Sequence, residues 1–172
     1  MINPNVSMYS LISECSALRP EVVAVEYYGK HISYKHLIEN IDICASSLSA
    51  RGISKGEHIA VVLPNIPEAV YLFYAGNKIG AIVDMIHPLS CEEELIEYVH
   101  NTDCKLVFAL DLIVDRFQSL EDACSKVIKV SASDSMSFIK RTAYSLASKK
   151  SSFSKKITRW NSFFKQCNGV ET

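Results

Sequence analysis

The stretch "IAVVLPNIPEAVYLFYAGNKIGAIVDMIHPLS", residues 59–90, decides the fold. It opens on an apolar run rich in β-branched residues, the composition of a strand covered on both faces. The turn "LPN" follows, with Asn65 placed to cap a helix, Pro67 tolerated in its first turn and Glu68 suited to the positive helix end. Ala69, Val70, Leu72, Phe73, Ala75 and Ile79 leave that helix almost no polar face, which predicts burial. Gly80 stops it and "AIVDMI" supplies a second strand. Strand, helix and strand in that order predict a parallel pair with a right-handed crossover.

The same reading extends in both directions. Upstream, "VSMYSLISECSALRP" predicts a short helix, and "EVVAVEYYGKHISY" a hairpin turning at Gly29-Lys30. Ser33 opens an amphipathic helix with Tyr34, Leu37, Ile38, Ile41, Ala45 and Leu48 on one face and Gly52 as its cap. Downstream, Ser90 and Glu93 have capping-box spacing for a helix through about Asn101. "KLVFAL" predicts a strand, "DLIVDRFQSLEDACS" a mostly helical segment, and "KVIKVSA" a last strand. The expected architecture is a three-layer α/β subdomain: a parallel sheet with helices on both faces, preceded by a short helix and hairpin and followed by a basic, partly helical tail.

The chain has 172 residues, nearly half apolar, and a net charge of −1. These values describe a globular protein with a real core rather than a disordered one. The amino terminus lacks the basic and apolar regions of a secretory signal, so a cytoplasmic protein is expected. Pro64, Pro67, Glu68 and Lys78 interrupt the most apolar stretch, which excludes it as a membrane span. Six cysteines, none in C-x-x-C spacing or near a histidine at ligand spacing, predict mostly buried thiols and no metal site.

Charge divides the chain. Residues 1–130 carry 10 Lys/Arg against 17 Asp/Glu, and residues 131–172 carry 8 against 2. The first range is expected to be the α/β subdomain and the second a basic connector or tail. In the tail Phe153, Ile157, Trp160 and Phe164 recur at helical spacing among Lys155, Lys156, Arg159 and Lys165. Such a stripe suits an anionic membrane surface or a partner chain. The plainer expectation, which we favour, is that it packs on the α/β core, or on a further part of the protein, with its lysines solvated. Nucleic acid is not expected, because the tail is short and the body acidic.

A phosphate cradle in a strand-to-helix turn needs glycines, because the backbone must approach the anion and present its N–H groups. The turns "LPNIPEA", "IHPLSCEE" and "ALDLIVD" contain none, and Pro67 and Pro88 each remove a donor. Neither G-x-G-x-x-G nor G-x-x-x-x-G-K-[ST] occurs.

Other candidates for chemistry are few. His87 follows the strand "AIVDMI" and so belongs to the carboxyl edge of the sheet, where open α/β folds bind ligands. A histidine bonding its own turn beside Pro88 is the favoured reading. Asp84 lies inside a strand, as expected of an edge or partly exposed position, with no identifiable carboxylate partner. Glu92, Glu93, Glu94 and Glu97 spread around a helix start, and His31, His36, His58 and His100 show no ligand spacing.

Several motifs in order carry a family likeness: the G-x-x-x-G-[ED]-x-[IV]-A run at Gly52–Ala60, the "LPN-x-PE" turn, and "NKIGAIV-x-M-x-HPLS-x-EE". The chain resembles the amino-terminal part of the AMP-forming adenylate-forming enzymes, most in the manner of bacterial fatty acid–CoA ligases. The likeness is clear over roughly residues 5–130 and continues weakly to "ITRWNSFF". It implies a parent enzyme that activates a carboxylate with ATP and Mg²⁺ and passes the acyl group to coenzyme A. It also implies that the phosphate loop, the acidic group for Mg²⁺, the ribose-binding Asp and the catalytic Lys all follow the matched region. No catalytic, cofactor or metal residue is therefore expected in this chain. The expectation is a fragment, inactive alone, whose partner is the remainder of the enzyme.

Overall fold

Both sides of the central sheet are buried, which is why its strands read as near-continuous apolar runs. The computed structural model describes residues 6–114, 123, 126–132 and 157–165. Five parallel strands make the sheet: β3 (His58–Val62), β4 (Ile82–Met85), β5 (Leu106–Leu110), β6 (Val127–Val130) and β7 (Ile157–Arg159), in the order β4-β3-β5-β6-β7. A separate antiparallel hairpin, β1 (Val23–Tyr27) with β2 (Lys30–Ser33), precedes them. Its turn falls one residue earlier than Gly29-Lys30, at Tyr28-Gly29. Both of those residues have positive φ, 47° and 80°, the backbone that matches the twist of a two-residue hairpin.

Alternation along β3 divides the core. Ile59 and Val61 face one layer with Leu106, Phe108, Ile128 and Val130, packed by α1 (Met8–Leu18), α2 (Tyr34–Ser49), α3 (Pro67–Ile79) and α6 (Trp160–Lys165). Ala60 and Val62 face the other with Val107 and Ala109, packed by α4 (Glu92–Asn101) and α5 (Asp111–Val114). Each fully buried Leu, Ile or Phe in these layers contributes about 1.5–3 kcal/mol of transfer free energy. Helix α3 approaches β4 so closely that a Cβ at Gly76 would collide with Cγ2 of Val83.

Helix starts follow the prolines more than the polar residues. Ser33 caps α2 as expected, its hydroxyl accepting from the His36 N–H. Asn65 does not cap α3. Pro67 forces its predecessor into extended backbone, so Ile66 occupies the cap position at φ −119°, ψ 158°. Ser90 does not cap α4 either. Its N–H is taken by the His87 carbonyl, and the helix enters one residue later with Cys91 as the cap. Gly80, at φ 76°, ends α3 as expected, whereas α2 ends at Ala50, two residues before Gly52.

The tail corrects two expectations. Ile157 is not part of a helical stripe but begins β7, which extends the sheet past β6, so "KVIKVSA" is not the last strand. Ile157, Trp160 and Phe163 join the core layers, an apolar contribution masked in the sequence by the basic residues around them. Among the described residues no helix is long and apolar enough to cross a membrane.

Candidate functional site

In an open parallel sheet the ligand crevice lies beyond the carboxyl ends of two adjacent strands whose following helices go to opposite faces. Strands β3 and β5 are such a pair, since α3 packs on one layer and α5 on the other. The candidate site is therefore the edge built by the β3–α3, β4–α4 and β5–α5 turns.

Several amides at this edge donate within their own turns. In the β3–α3 turn the Ile66 N–H donates to the Pro64 carbonyl at 2.7 Å and the Ala69 N–H to the Ile66 carbonyl at 3.0 Å. In the β4–α4 turn the Leu89 N–H donates to Nδ1 of His87 at 3.1 Å, and the Ser90 N–H to the His87 carbonyl at 3.0 Å. In the β5–α5 turn the Leu112 N–H donates to the Asp111 carboxylate at 2.9 Å. Glu68, in the first turn of α3, is buried. Burial first, then the nearby Glu68, pushes the Tyr71 phenol upward.

His87 is exposed and its Nδ1 accepts from its own turn. It organises the loop, and no second titratable group joins it. Glu93, Glu94 and Glu97 are exposed around α4, and among the described residues no group of His, Cys, Asp or Glu could hold a metal ion. Of the tail candidates, Trp160 is buried against Phe108 and Phe163, at ring-centroid distances of 6.4 and 5.4 Å. Its indole does not face a membrane in this fold. Phe164 is half-buried with its ring on Trp160, and Arg159 is exposed at the end of β7. Lys155, Lys156 and Phe153 lie outside the described residues.

Sequence reasoning missed one polar cluster. Nδ1 of His58, at the start of β3, meets Oδ2 of Asp84 on β4 at 2.8 Å. Tyr98 of α4 bonds to the same carboxylate, and burial first, then that bond, pushes its phenol up to about 12. Register explains the meeting. Asp84 is the cross-strand partner of Ala60, so it shares the α4-facing side with His58, two residues from Ala60. Nearby Cys104 is buried, its thiol raised first by burial, and it donates to the Leu106 carbonyl. Such a thiol is inert rather than nucleophilic. The only local clue was an acidic residue inside an apolar strand, because the partners are 26 and 14 positions away.

Of the four described cysteines, Cys44 and Cys104 are buried while Cys15 and Cys91 are exposed. Cys124 and Cys167 lie outside the described residues. A cleft of about 660 Å³ opens at the opposite, amino end of the strands, lined by Arg51, Ile53, Asp103, Lys105 and Lys126 among others. Its cations already have work. Arg51 donates to the Ser47 carbonyl and lies over the Phe163 ring, and Lys105 pairs with Glu57.

A five-stranded parallel sheet between helix layers, with the strand order and turns above, defines an amino-terminal subdomain of the adenylate-forming ligase type. The chain belongs to the AMP-binding enzyme family, whose profile matches residues 13–162. It is 27% identical over 148 residues to the long-chain-fatty-acid–CoA ligase of Bacillus subtilis (strain 168), covering 85% of this chain and 26% of that enzyme. It is 35% identical over 83 residues to the acetyl-coenzyme A synthetase of Alkalilimnicola ehrlichii, covering 48% of this chain and 13% of that one. Among solved structures it is similar in fold to the anthranilate CoA ligase AuaEII in complex with anthranoyl-AMP. There the TM-score is 0.76 and the identity 11%, over 95% of this chain and 28% of the other. The chain thus spans about a quarter of the curated ligase it matches over most of its length.

Proposed function

We infer that the chain is the amino-terminal subdomain of an ATP-dependent carboxylic acid–CoA ligase working through an acyl-adenylate, and that it does not catalyse that reaction by itself. In this reading the acid is a fatty acid and the enzyme is cytoplasmic. The fatty-acid assignment is supported by the relative that aligns over 85% of this chain, a long-chain-fatty-acid–CoA ligase, against 73% for the acetyl-coenzyme A synthetase of Dictyostelium discoideum. ATP, Mg²⁺ and coenzyme A belong to the whole enzyme, and this chain's part is to present the carboxyl edge of its sheet.

The observation that carries the reading of inactivity is the engaged set of amides at the switch point. Ile66, Ala69, Leu89, Ser90 and Leu112 all donate within their own turns. An anion would have to compete with those bonds, which supports the reading that these turns are no preorganised phosphate cradle. Isothermal titration with ATP and Mg²⁺ tests it, the expected result being no saturable heat up to millimolar nucleotide. Micromolar affinity would overturn the inference. The DNA downstream of codon 172 tests the parentage, with an in-frame Ser/Thr/Gly-rich loop ending in Lys as the expected result.

A further inference from the structure

Helix α1 is joined to the rest of the molecule in a different way from its neighbours. Only Ser16 of its 11 residues is buried, whereas α2 and α3 each bury a row of core side chains. Met8, Leu11 and Leu18 are exposed, and Tyr9 and Ile12 are only partly buried against the core. Polar contacts around Tyr9 hold the helix instead. The Tyr9 hydroxyl donates to Oδ1 of Asp42 on α2 at 2.9 Å, and the Lys78 ammonium in the last turn of α3 donates to the same oxygen at 2.8 Å. That ammonium lies 4.6 Å from the centre of the Tyr9 ring, and the Tyr9 N–H donates to Oδ1 of Asn77 at 2.8 Å. The Lys78 and Asp42 side chains are 34% and 44% exposed, so water and salt screen the pair.

The chain beyond α1 is fastened separately, by the first amides of α2. The Lys35 N–H donates to the Pro20 carbonyl at 2.9 Å and the Tyr34 N–H to the Val22 carbonyl at 3.0 Å. Movement of α1 can therefore stop at Arg19 and Pro20 without disturbing the hairpin or the sheet. An isolated helix of this length is marginal in water, so α1 melts once it leaves. Elements with few buried apolar contacts open at lower free energy than the core. We propose that α1 is a strap that leaves α2 and α3 as one unit, hinged at Arg19 and Pro20, while the sheet and its other helices stay folded, and that the Asp42 carboxylate is its latch. Release bares the seam between α2 and α3 at Asp42, Asn77 and Lys78, and rising ionic strength favours it. The strap does not depend on the ligase reading.

Amide hydrogen exchange of the 172-residue chain, read peptide by peptide in a mass spectrometer, tests it. Peptides from α1 are expected to exchange at least about tenfold faster than those from β3 and β5, and to respond far less to low urea. Asp42→Ala removes both bonds to the latch while placing a good helix former in α2. It should speed exchange in α1 by about three- to fiftyfold and leave the β3 and β5 peptides unchanged. Tyr9→Phe keeps the ring and loses the hydroxyl, and should act in the same direction by less. Raising sodium chloride from about 0.05 M to about 0.5 M should speed α1 in the unsubstituted chain and not in Asp42→Ala. Exchange of α1 in step with the sheet overturns the proposal. So does an Asp42→Ala variant that leaves α1 unchanged, speeds the sheet equally or keeps the full salt dependence. If Asp42→Ala does not fold, the carboxylate carries more than a strap and the proposal falls.

Discussion

Trp160 separates a tail that lies on a membrane from a tail that completes the core. Its side chain is 5% exposed and meets three rings, Phe108, Phe163 and Phe164, with centroids 5.4–6.4 Å away. Truncating a buried aromatic of this kind to alanine costs about 3–5 kcal/mol, from lost transfer energy and the cavity left behind. A domain of this size is stable by only about 5–15 kcal/mol. The expected Trp160→Ala variant therefore loses about a fifth or more of its stability, with Tm lower by roughly 6–20 °C. Urea unfolding followed by far-ultraviolet circular dichroism is the suitable assay, because the substitution removes the one tryptophan of the chain. Trp160→Phe keeps a ring in the site and should recover most of the loss. In the unsubstituted chain the indole emission should be blue-shifted and unchanged by anionic vesicles. A destabilisation below about 1 kcal/mol, together with vesicle binding that disappears in the variant, would refute the core assignment and return the tail to the membrane.

Three further outcomes test other parts of the structure. Gly76→Val should cost about 1–3 kcal/mol by overpacking α3 against the stiff Val83 side chain, measured by the urea midpoint at constant m-value. Asp84→Ala should cost about 1–3 kcal/mol, because it strips His58 and Tyr98 of their shared acceptor. In the same variant the Tyr98 phenol should titrate below about 12 in an ultraviolet pH titration. The sign for stability follows: Tyr98 is raised above its ordinary 10.0, so its contribution is intact below pH 10 and is lost as pH rises toward about 12. Under native conditions a thiol reagent should modify Cys15 and Cys91 quickly and Cys44 and Cys104 only on unfolding, as read by peptide mapping.

The parallel sheet and its flanking helices were legible because their signals are local. β3 is an unbroken apolar run, α2 has a serine cap with a clean stripe, and Gly80 marks the end of α3. The misplaced caps share one cause. Composition favoured Asn65 and Ser90 for their oxygens, but Pro67 and the His87 turn set the backbone, and geometry outweighs a side-chain acceptor worth about 1 kcal/mol. β7 was hidden because three residues, Ile157–Arg159, are too few for a period and sit among lysines. The His58–Asp84–Tyr98 cluster was hidden for the opposite reason, since it exists only through register and helix packing. At the candidate site the glycine-free turns direct several of their own amides inward, a detail of backbone geometry that composition does not reveal.

Topology and turn chemistry are separable, and this chain shows how. Crossover connections bring β3 and β5 side by side with diverging helices, so the switch point arises from strand order alone. Whether that place binds an anion depends on a few backbone donors and their freedom to point outward. Proline at 67 removes one, and the Asp111 carboxylate and the His87 ring take others. The bond to His87 therefore does two things together: it withdraws an amide from solution and fixes the loop that exposes Leu89. Replacing His87 by Ala would free the Leu89 N–H but also release that loop. The result should be a loss of about 0.5–1.5 kcal/mol of stability at the urea midpoint without any gained nucleotide affinity, since one loose donor is no preorganised cradle.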